Sequence, residues 1–529
     1  MRHHIVRKLP QDPASFGAGD NWTEARRRDF QGQLGTAVEA CKLFIAAIPL
    51  GIVCACGVSP PSTVMPPTSL PSSFPGELSP EGNISAGRLC WRDFLPADLT
   101  IGPLVERAID HNRDLAIATA RIDEARALLR QRRIENGLNV QSNVEATINR
   151  TTSGATAAGA LLEKLFPEVS EGIGLPNTAT YPLYRSTLAI SSFELDLWGR
   201  LRNLSAAARA RVLASEWNRK AVQLALLREI VSQSLRKLEI GEQRHVTQRL
   251  LAFENERLDI LELRETKGLS APQDVLAQRE RITEVDIALS QFALDETGLT
   301  NTLEFLTGGS GWTAPDQAAG SPWASRARID AGLPSRLLLL RPDIRTAESN
   351  LLAMRADLSA VRARLFPSIN LTGLFGFASS DLGSLFSGNA MVFSGGGMID
   401  LPIFDRPARL ANIDLTKARE RQAVAEYQKA VESGFREVKD ALAARRWYAI
   451  HAETIARQVA AISAQVEIAK EQEQAGLTSG LDTIAVERRL LEARVRQVSN
   501  SARLAEADFA VFVSLGGGDQ MCGKSSTGR

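Results

Sequence analysis

The sequence predicts a mainly α-helical chain with a small β part, built as an internal tandem duplication. Three observations indicate this fold class: long stretches rich in Ala, Leu, Arg, Glu and Gln, segments that recur at a constant offset, and short segments that alternate apolar and polar residues. The first is typical of long helices or coiled coils, and the third is typical of strands with one apolar face.

The duplication is clearest in two segments near the middle and the end of the chain. Residues 265–280 read ETKGLSAPQDVLAQRE and residues 473–488 read EQAGLTSGLDTIAVER, so that a Gly-Leu, a hydroxyl residue and an Asp recur after 208 positions. FELDLWGRLRN at 193–203 pairs with MIDLPIFDRPARLAN at 398–412, and NVQSNVEATI pairs more loosely with NLTGLFGF. Because the order of the pairs agrees, each copy is predicted to contain a helix, a strand, a loop, a strand, a very long helix, a tight turn and a return helix.

The long helices carry apolar residues at spacings of three and four, the pattern of a coiled-coil seam, which we interpret as their packing face. The seam comprises Leu213, Trp217, Leu224, Leu227, Val231, Leu235 and Leu238 in the first copy and Val424, Tyr427, Val431, Phe435, Val438 and Leu442 in the second. A helix over about 200–262 would be ~95 Å long. The return helix (about 273–304), stacked end to end with the pre-strand helix of the other copy (about 342–365), would nearly match it. The matching lengths predict a tall bundle of antiparallel helices, which becomes a long antiparallel α-helical barrel if several chains close it.

The predicted strands differ from those of a soluble sheet. In NVQSNVEATIN (139–149), Val140, Val144, Ala146 and Ile148 alternate with polar residues, and SINLTGLFGF and MVFSGGGMIDL also gather their apolar side chains on one face. About ten residues of apolar-out, polar-in alternation is typical of an outer-membrane barrel strand; the alternative is a hairpin with one face on a soluble core. Four strands cannot enclose a water-filled lumen, and an open sheet edge is not tolerated in lipid, so a barrel would need several chains. Three copies would supply twelve strands.

The N-terminal region predicts export across the inner membrane and attachment to lipid. Lys42 precedes an apolar run from Leu43 to Val53 that is shorter than the ~20 residues of a membrane-spanning helix, and it therefore resembles the core of a signal peptide. The following Cys-Ala-Cys-Gly resembles a lipoprotein processing site with Cys56 as the acylated residue; Cys54 is the poorer candidate because bulky Val53 precedes it. An ordinary cleaved signal peptide and a buried apolar segment stay open as alternatives.

Several function classes find no support in the sequence. The chain carries 62 Lys+Arg against 61 Asp+Glu, without the basic excess of a nucleic-acid-binding protein. Its five His and five Cys lack metal-site spacing, and no catalytic grouping of Ser, His and Asp stands out, so we expect no metal, no cofactor and no enzyme activity. GDQMCGKS at 518–525 matches the phosphate-loop pattern, but only four residues follow where a helix is required. We interpret it as a chance match. Whether Cys90 and Cys522 pair is left open.

The chain resembles the TolC-like outer-membrane efflux proteins, and among them the NodT-type lipoproteins. The resemblance covers about residues 88–518 and is carried by FELDLWGRLRN, GLPSRLLLLRPDIRTAESNL, ARLFPSINLTGLFGF, GLDTIAVER and the closing SLGGG. It implies a homotrimer with a twelve-stranded outer-membrane barrel and a helical tunnel in the periplasm. Small molecules such as drugs, toxic compounds or metal ions would pass through it from an inner-membrane pump bridged by a periplasmic adaptor. A conduit for type I protein secretion and, remotely, a soluble coiled-coil scaffold are the alternatives.

The expected organisation follows from these assignments. We expect an N-terminal extension with the signal peptide (1–55), a Pro/Ser-rich tether (56–87), two efflux repeats (88–310 and 311–510) and a C-terminal tail (511–529).

The resemblance also assigns candidate site residues. The adaptor would contact the two helix–turn–helix tips, Gly268-Leu269-Ser270 and Gly476-Leu477-Thr478. Glycine permits the positive φ of a tight turn and the hydroxyl can cap the next helix, whereas an exposed Leu at a turn has no structural role.

Asp482 matches an acidic position that narrows the periplasmic aperture in this family, although Ala485 stands where some members carry a second acid. The alternative for Asp482 is a helix-start Asp, as Asp274 would be in the first copy. Arg341-Pro342-Asp343 is interpreted as a helix start with a structural role.

Overall fold

The structure, a computed structural model, describes residues 64–66, 91–95, 101–152, 178–309 and 340–517. Within these ranges the chain forms seven α-helices and four β-strands in the predicted order. The first copy comprises α1 (Gly102–His111), α2 (Arg113–Glu135), β1 (Val140–Thr152), β2 (Thr178–Glu194), α3 (Arg200–Thr266) and α4 (Pro272–Leu306). The second comprises α5 (Pro342–Ala363), β3 (Ser368–Ser379), β4 (Met391–Asp400), α6 (Arg406–Gln474) and α7 (Gly480–Ser514).

The two copies are nearly equal in their dimensions. The long helices α3 and α6 have 67 and 69 residues, the return helices α4 and α7 have 35 each, and the pre-strand helices α2 and α5 have 23 and 22. The predicted fold class, mainly helical with four strands and an internal duplication, is confirmed. Among the helices that the structure describes, none has both the length and the apolar composition needed to cross a bilayer.

The stacking of the shorter helices differs from the prediction. The side-chain amide of Asn112, the N-cap of α2, donates a 3.0 Å hydrogen bond to the carbonyl of Leu306 at the end of α4. Arg341, the N-cap of α5, donates a 2.7 Å bond to the carbonyl of Ser514 at the end of α7. Each return helix therefore stacks on the pre-strand helix of its own copy, and the predicted pairing of α4 with α5 is wrong.

The long helices pack side by side through the predicted seams. Helix α3 packs against α2, α4, α5 and α7, and α6 packs against α5 and α7. The seam residues Leu227, Val231, Leu235 and Val438 are buried in the main core, which lies where the stacked helices meet and also includes Leu351 and Phe512. The seam prediction is wrong at Leu213, which is 45% exposed.

The four strands form one antiparallel sheet in the order β1-β2-β3-β4. A bulge between Ile190 and Phe193 shifts the register of β2 against β3. The turn before β3 contains Pro367, whereas the turn before β1 contains no proline. Both turns nevertheless have four residues, 364–367 before β3 and 136–139 before β1, so the helix-to-strand bend forms without proline. Within the described sheet, β1 and β4 are the outer strands.

Candidate functional site

The two helix–turn–helix tips share one backbone conformation. Gly268 and Gly476 have φ angles of 72° and 68°, the left-handed region that glycine adopts at little cost. The next N–H, that of Leu269 or Leu477, bonds back to the carbonyl five residues earlier at 2.8 Å in each case. This is the Schellman arrangement that ends a helix, and it explains the recurrent Gly-Leu of the sequence.

The leucines of the tips extend into solvent. Leu269 is 65% exposed and Leu477 is 75% exposed, and a side chain built at either tip glycine would meet no atom within 4 Å. Both tips are therefore free, within the part of the chain that is described, to contact another molecule through an apolar side chain.

The capping role expected of the tip hydroxyls is only partly right. In the second tip the cap is Ser479, whose hydroxyl accepts a 3.3 Å bond from the N–H of Leu481, whereas the hydroxyl of Thr478 is buried without a hydrogen-bond partner among the described residues. In the first tip the hydroxyl of Ser270 donates to the carboxylate of Asp274 at 3.1 Å, and the N-cap position is occupied by Ala271. The capping role predicted for Thr478 is wrong by one residue.

Asp274 and Asp482 occupy the same capping geometry at the two tips. Each lies in the first turn of the return helix, and its carboxylate accepts a 3.2 Å bond from the N–H of the N-cap residue, Ala271 or Ser479. Both Asp residues are exposed. Asp482 therefore caps a helix start, which is the alternative role given for it above. Its role at a periplasmic aperture stays a prediction.

Polar side chains join the helices of each hairpin close to the tips. The amide of Gln278 in α4 donates to the backbone carbonyl and to the carboxylate of Glu254 in α3, at 2.8 and 2.7 Å, and both residues are buried. In the second hairpin, Lys470 of α6 lies 2.9 Å from the carboxylate of Glu487 of α7. The hydrogen bond to Glu487 and its charge raise the pKa of the Lys470 ammonium. These contacts fix the two helices of each hairpin against each other near the tip.

The register of the sheet separates an apolar face from a polar face. Residues directly opposite each other share a face, and the pairs Phe375↔Phe393, Ile369↔Ile399 and Leu188↔Phe375 gather apolar side chains on one side. The other face carries Gln141, Asn143, Glu145, Thr147, Arg185, Thr187, Asn370 and Thr372. One face is thus mainly apolar and suited to lipid, as the alternation predicts, whereas the other is mainly polar but also carries Leu183, Leu374, Val392 and Met398.

The recurrent FELDLWGRLRN segment forms the junction between sheet and helix. The carboxylate of Asp196 accepts bonds from the N–H groups of Leu201 and Arg202 at 3.0 and 2.9 Å and so caps the start of α3. The indole N–H of Trp198 donates to the carbonyl of Pro367 at 2.7 Å, and its ring stacks on Phe366 with 4.8 Å between ring centres. These contacts fix the direction in which α3 leaves the sheet.

The segment Arg341-Pro342-Asp343 starts a helix, as the sequence predicts. Arg341 also joins three helices, a role that the sequence did not reveal. Pro342 opens α5 and Asp343 lies in its first turn. The buried guanidinium of Arg341 binds the carboxylates of Asp343 and of Glu437 in α6, at 2.8 and 2.7 Å, besides the carbonyl of Ser514. Burial lowers the pKa of Arg341, but the hydrogen bonds and charges of the two carboxylates outweigh it and raise the pKa above its ordinary value.

Several sequence-based assignments lie outside the described residues. These are Cys56 and the tether behind it, Cys90 and Cys522, and the GDQMCGKS segment. Among the residues that the structure does describe, no group of three or more His, Cys, Asp or Glu side chains is placed to hold a metal ion.

Comparisons with known proteins agree with this geometry. The family described as outer membrane efflux protein matches residues 104–309 and 333–517, one stretch in each copy. The cation efflux system protein CusC of Escherichia coli K12 is 30% identical over 494 residues, covering 90% of this chain and 99% of its own length. The solvent efflux pump outer membrane protein SrpC of Pseudomonas putida is 31% identical over 417 residues, covering 78% of this chain and 84% of its own.

Solved structures of channels show the same fold. A CusC structure described as showing transmembrane channel formation has a TM-score of 0.72 at 28% identity and covers 87% of this chain and 99% of that one. The open state of the Neisseria gonorrhoeae MtrE outer membrane channel has a TM-score of 0.74 at 26% identity and covers 87% and 98%. The chain therefore belongs to the outer membrane efflux protein family and is an outer-membrane efflux channel.

Proposed function

We propose that three copies of this chain form the outer-membrane conduit of a tripartite efflux system. The trimer receives small molecules from an inner-membrane pump through a periplasmic adaptor and releases them outside the cell. Transport through it is passive and needs no covalent chemistry, cofactor or nucleic acid.

The observation that carries the proposal is that the sheet and the layer of helices below it are open at the same two edges. On one side lie the outer strand β1 and the helix α2 that leads into it, and on the other lie β4 and the helix α6 that follows it. Unpaired strand edges cannot face lipid, because the bilayer offers their N–H and C=O groups no partners. Pairing of β4 of one copy with β1 of the next satisfies both edges, and a head-to-tail contact of this kind forms a ring when its rotation closes.

The helices on these two sides, α4 and α6, expose large apolar side chains to solvent in the described part of the chain. Leu276, Ile287 and Leu294 of α4 are each more than 60% exposed, and Trp447, Ile450 and Ile468 of α6 are each more than half exposed. Apolar surface of this extent is typical of an interface. It supports a ring in which α6 of one copy packs beside α4 of its neighbour. The family resemblance favours three copies, whose strands make a twelve-stranded barrel.

The two tips are proposed as the surface for the periplasmic adaptor. Gly268-Leu269-Ser270 and Gly476-Leu477-Thr478 would present Leu269 and Leu477 to the adaptor helices, and the exposure of both leucines supports this. Asp482 would contribute one carboxylate per chain to an acidic periplasmic aperture, in addition to its capping bond. Acylated Cys56 would anchor the chain to outer-membrane lipid.

The proposed cargo is small molecules. Relatives of this chain are named for efflux of a cation, of solvents, of toluene and of antibiotics, which are all small species. The same names support coupling to a pump and give no indication of protein cargo.

The first test is the mass of the full-length protein after outer-membrane fractionation and detergent extraction. Three times the chain mass supports the conduit, and a monomer contradicts it. The adaptor surface is then tested with Leu269→Arg and Leu477→Arg in cells that lack the wild-type gene. We expect loss of resistance to exported compounds with the trimer unchanged, whereas the matched variants Leu269→Ile and Leu477→Ile retain resistance. Full resistance with both Arg variants combined would contradict adaptor docking at the tips.

A further inference from the structure

The two junctions at which the chain passes from sheet to long helix have the same length. Five residues separate β2 from α3 (195–199), and five separate β4 from α6 (401–405). Counting along these segments places Phe404 at the position of Trp198. The turns that lead into β1 and β3 are four residues each, 136–139 and 364–367, and they place Leu138 at the position of Phe366.

The first junction is locked by an aromatic contact within the chain. Because β2 pairs with β3, Trp198 in the connection that follows β2 lies beside the turn that leads into β3. Its ring stacks on Phe366 at a centre-to-centre distance of 4.8 Å, and its indole N–H reaches the carbonyl of Pro367. Aromatic contacts of this kind stabilise a packed junction beyond the effect of the area they bury.

The second junction has no such contact with any residue that the structure describes. Phe404 is 95% exposed, the highest value of any large apolar residue that the structure describes, and the preceding Ile403 is 64% exposed. The equivalent turn, 136–139, lies at the other edge of the sheet, where Leu138 is 62% exposed and Ile134 at the end of α2 is 75% exposed. The junction at Trp198 therefore meets the turn at Phe366 within the chain, whereas the matching junction at Phe404 and turn at Leu138 lie at opposite edges of the sheet.

We infer that Phe404 of one chain packs on Leu138 of the neighbouring chain, and so repeats between copies the contact that Trp198 makes with Phe366 within the chain. The partner is a second copy of this chain. Within the chain, pairing of β2 with β3 brings the β2–α3 junction beside the α5–β3 turn. Pairing of β4 with β1 of the next chain brings the β4–α6 junction beside the α2–β1 turn in the same way. Phe404 lacks the indole N–H, so the contact is apolar only. The inference rests on the proposed homotrimer and assigns the residues that lock its subunits at the base of the barrel.

The test is disulfide cross-linking in the full-length protein, in a background with Cys41→Ser, Cys54→Ser, Cys90→Ser and Cys522→Ser, which keeps only Cys56, the proposed acylated residue. Phe404→Cys is combined with Leu138→Cys, and the mass of the purified protein is measured before and after oxidation. We expect a trimer whose chains become covalently joined into dimers and trimers on a denaturing gel. The matched control combines Leu138→Cys with Phe386→Cys, which replaces a 72% exposed aromatic residue in the β3–β4 connection, and is expected to stay monomeric on that gel.

The outcomes separate the inference from the function on which it rests. A trimer in native mass without cross-links overturns the contact and leaves the conduit intact, whereas a native monomer overturns both. A second readout uses Phe404→Ala, which should lower the temperature at which the trimer dissociates, while Phe404→Trp and Phe386→Ala keep it. An unchanged dissociation temperature for Phe404→Ala would also overturn the inference.

Discussion

Arg341 joins the end of α7 to the start of α5 by a 2.7 Å hydrogen bond to the carbonyl oxygen of Ser514. The closing glycines permit this approach: Gly516 has a φ of 96°, and a side chain built on it would lie 3.2 Å from the Cα of Arg341. Gly516 near the end of the described chain is thus required by a packing contact as well as by the end of a helix.

Replacing Arg341 should destabilise the protein strongly. Arg341→Met leaves the carbonyl of Ser514 and the half-exposed carboxylates of Asp343 and Glu437 without their shared donor, and leaving a buried acceptor such as the Ser514 carbonyl unpaired costs about 1–3 kcal/mol. Arg341→Lys keeps the charge but not the planar fork, so an intermediate loss is expected. Thermal unfolding of the detergent-purified protein measures both. Equal midpoints for wild type and Arg341→Met would show that the contact contributes nothing.

The tip glycines should not tolerate a side chain. Gly268→Ala and Gly476→Ala each force a β-carbon into a left-handed conformation, at a cost of about 1–2 kcal/mol, although no neighbouring atom obstructs it. The strain is local, so protease cleavage at the tips should accelerate without loss of the fold. Gly241→Ala is the matched control, because it lies inside α3 with open space around it and should stabilise the helix by about 0.5–1 kcal/mol. Tips as resistant as wild type would refute the expected strain.

Much of this fold is predictable from the sequence because its periodicities are long and consistent. The apolar spacing in α3 and α6 and the alternation in β1, β3 and β4 each indicate the element that the structure contains. The choice of stacking partners was not predictable from length, since α2 and α5 have 23 and 22 residues and fit equally well beside a long helix. Asn112 and Arg341 decide it, through single hydrogen bonds that periodicity does not reveal.

The candidate site was predictable in part for a similar reason. The repeated Gly-Leu marks both tips, because a Schellman turn requires glycine at one position. The cap on the second tip is Ser479 rather than the neighbouring Thr478, and a preference for hydroxyl residues cannot distinguish adjacent positions. The exposed Phe404 could have been found from the repeat alone, by aligning it with Trp198.

The protein should lose stability through Asp508 as the pH rises. Burial raises the pKa of Asp508 above its ordinary value of 3.8, and the 2.6 Å contact with Arg445 offsets this only partly. A group whose pKa is higher in the folded state binds its proton more tightly there. Its contribution to stability is therefore complete below about pH 3.8 and is lost as the pH rises through the folded-state value.

Asp508→Asn should remove this dependence of stability on pH. The difference in unfolding midpoint between wild type and variant, measured from pH 3 upward, should shift in favour of the variant as the pH rises. Asp440→Asn serves as the control, since Asp440 belongs to an exposed pair with Arg436 on α6 and such pairs contribute little. A difference that does not change with pH would contradict the raised pKa.

Asp482 and Asp274 allow a capping role to be separated from a role at the aperture. Both carboxylates accept the same 3.2 Å bond from an N-cap N–H, so Asp482→Asn and Asp274→Asn should each weaken a helix start by a similar amount, about 0.5–1 kcal/mol. Only Asp482 is proposed to face its copies across the periplasmic opening, where its charge attracts cations and repels the other two carboxylates. Reconstituted trimers should therefore lose cation selectivity with Asp482→Asn and retain it with Asp274→Asn, as measured by the reversal potential of single channels in a salt gradient. If the two variants change selectivity equally, Asp482 is a helix cap and no more.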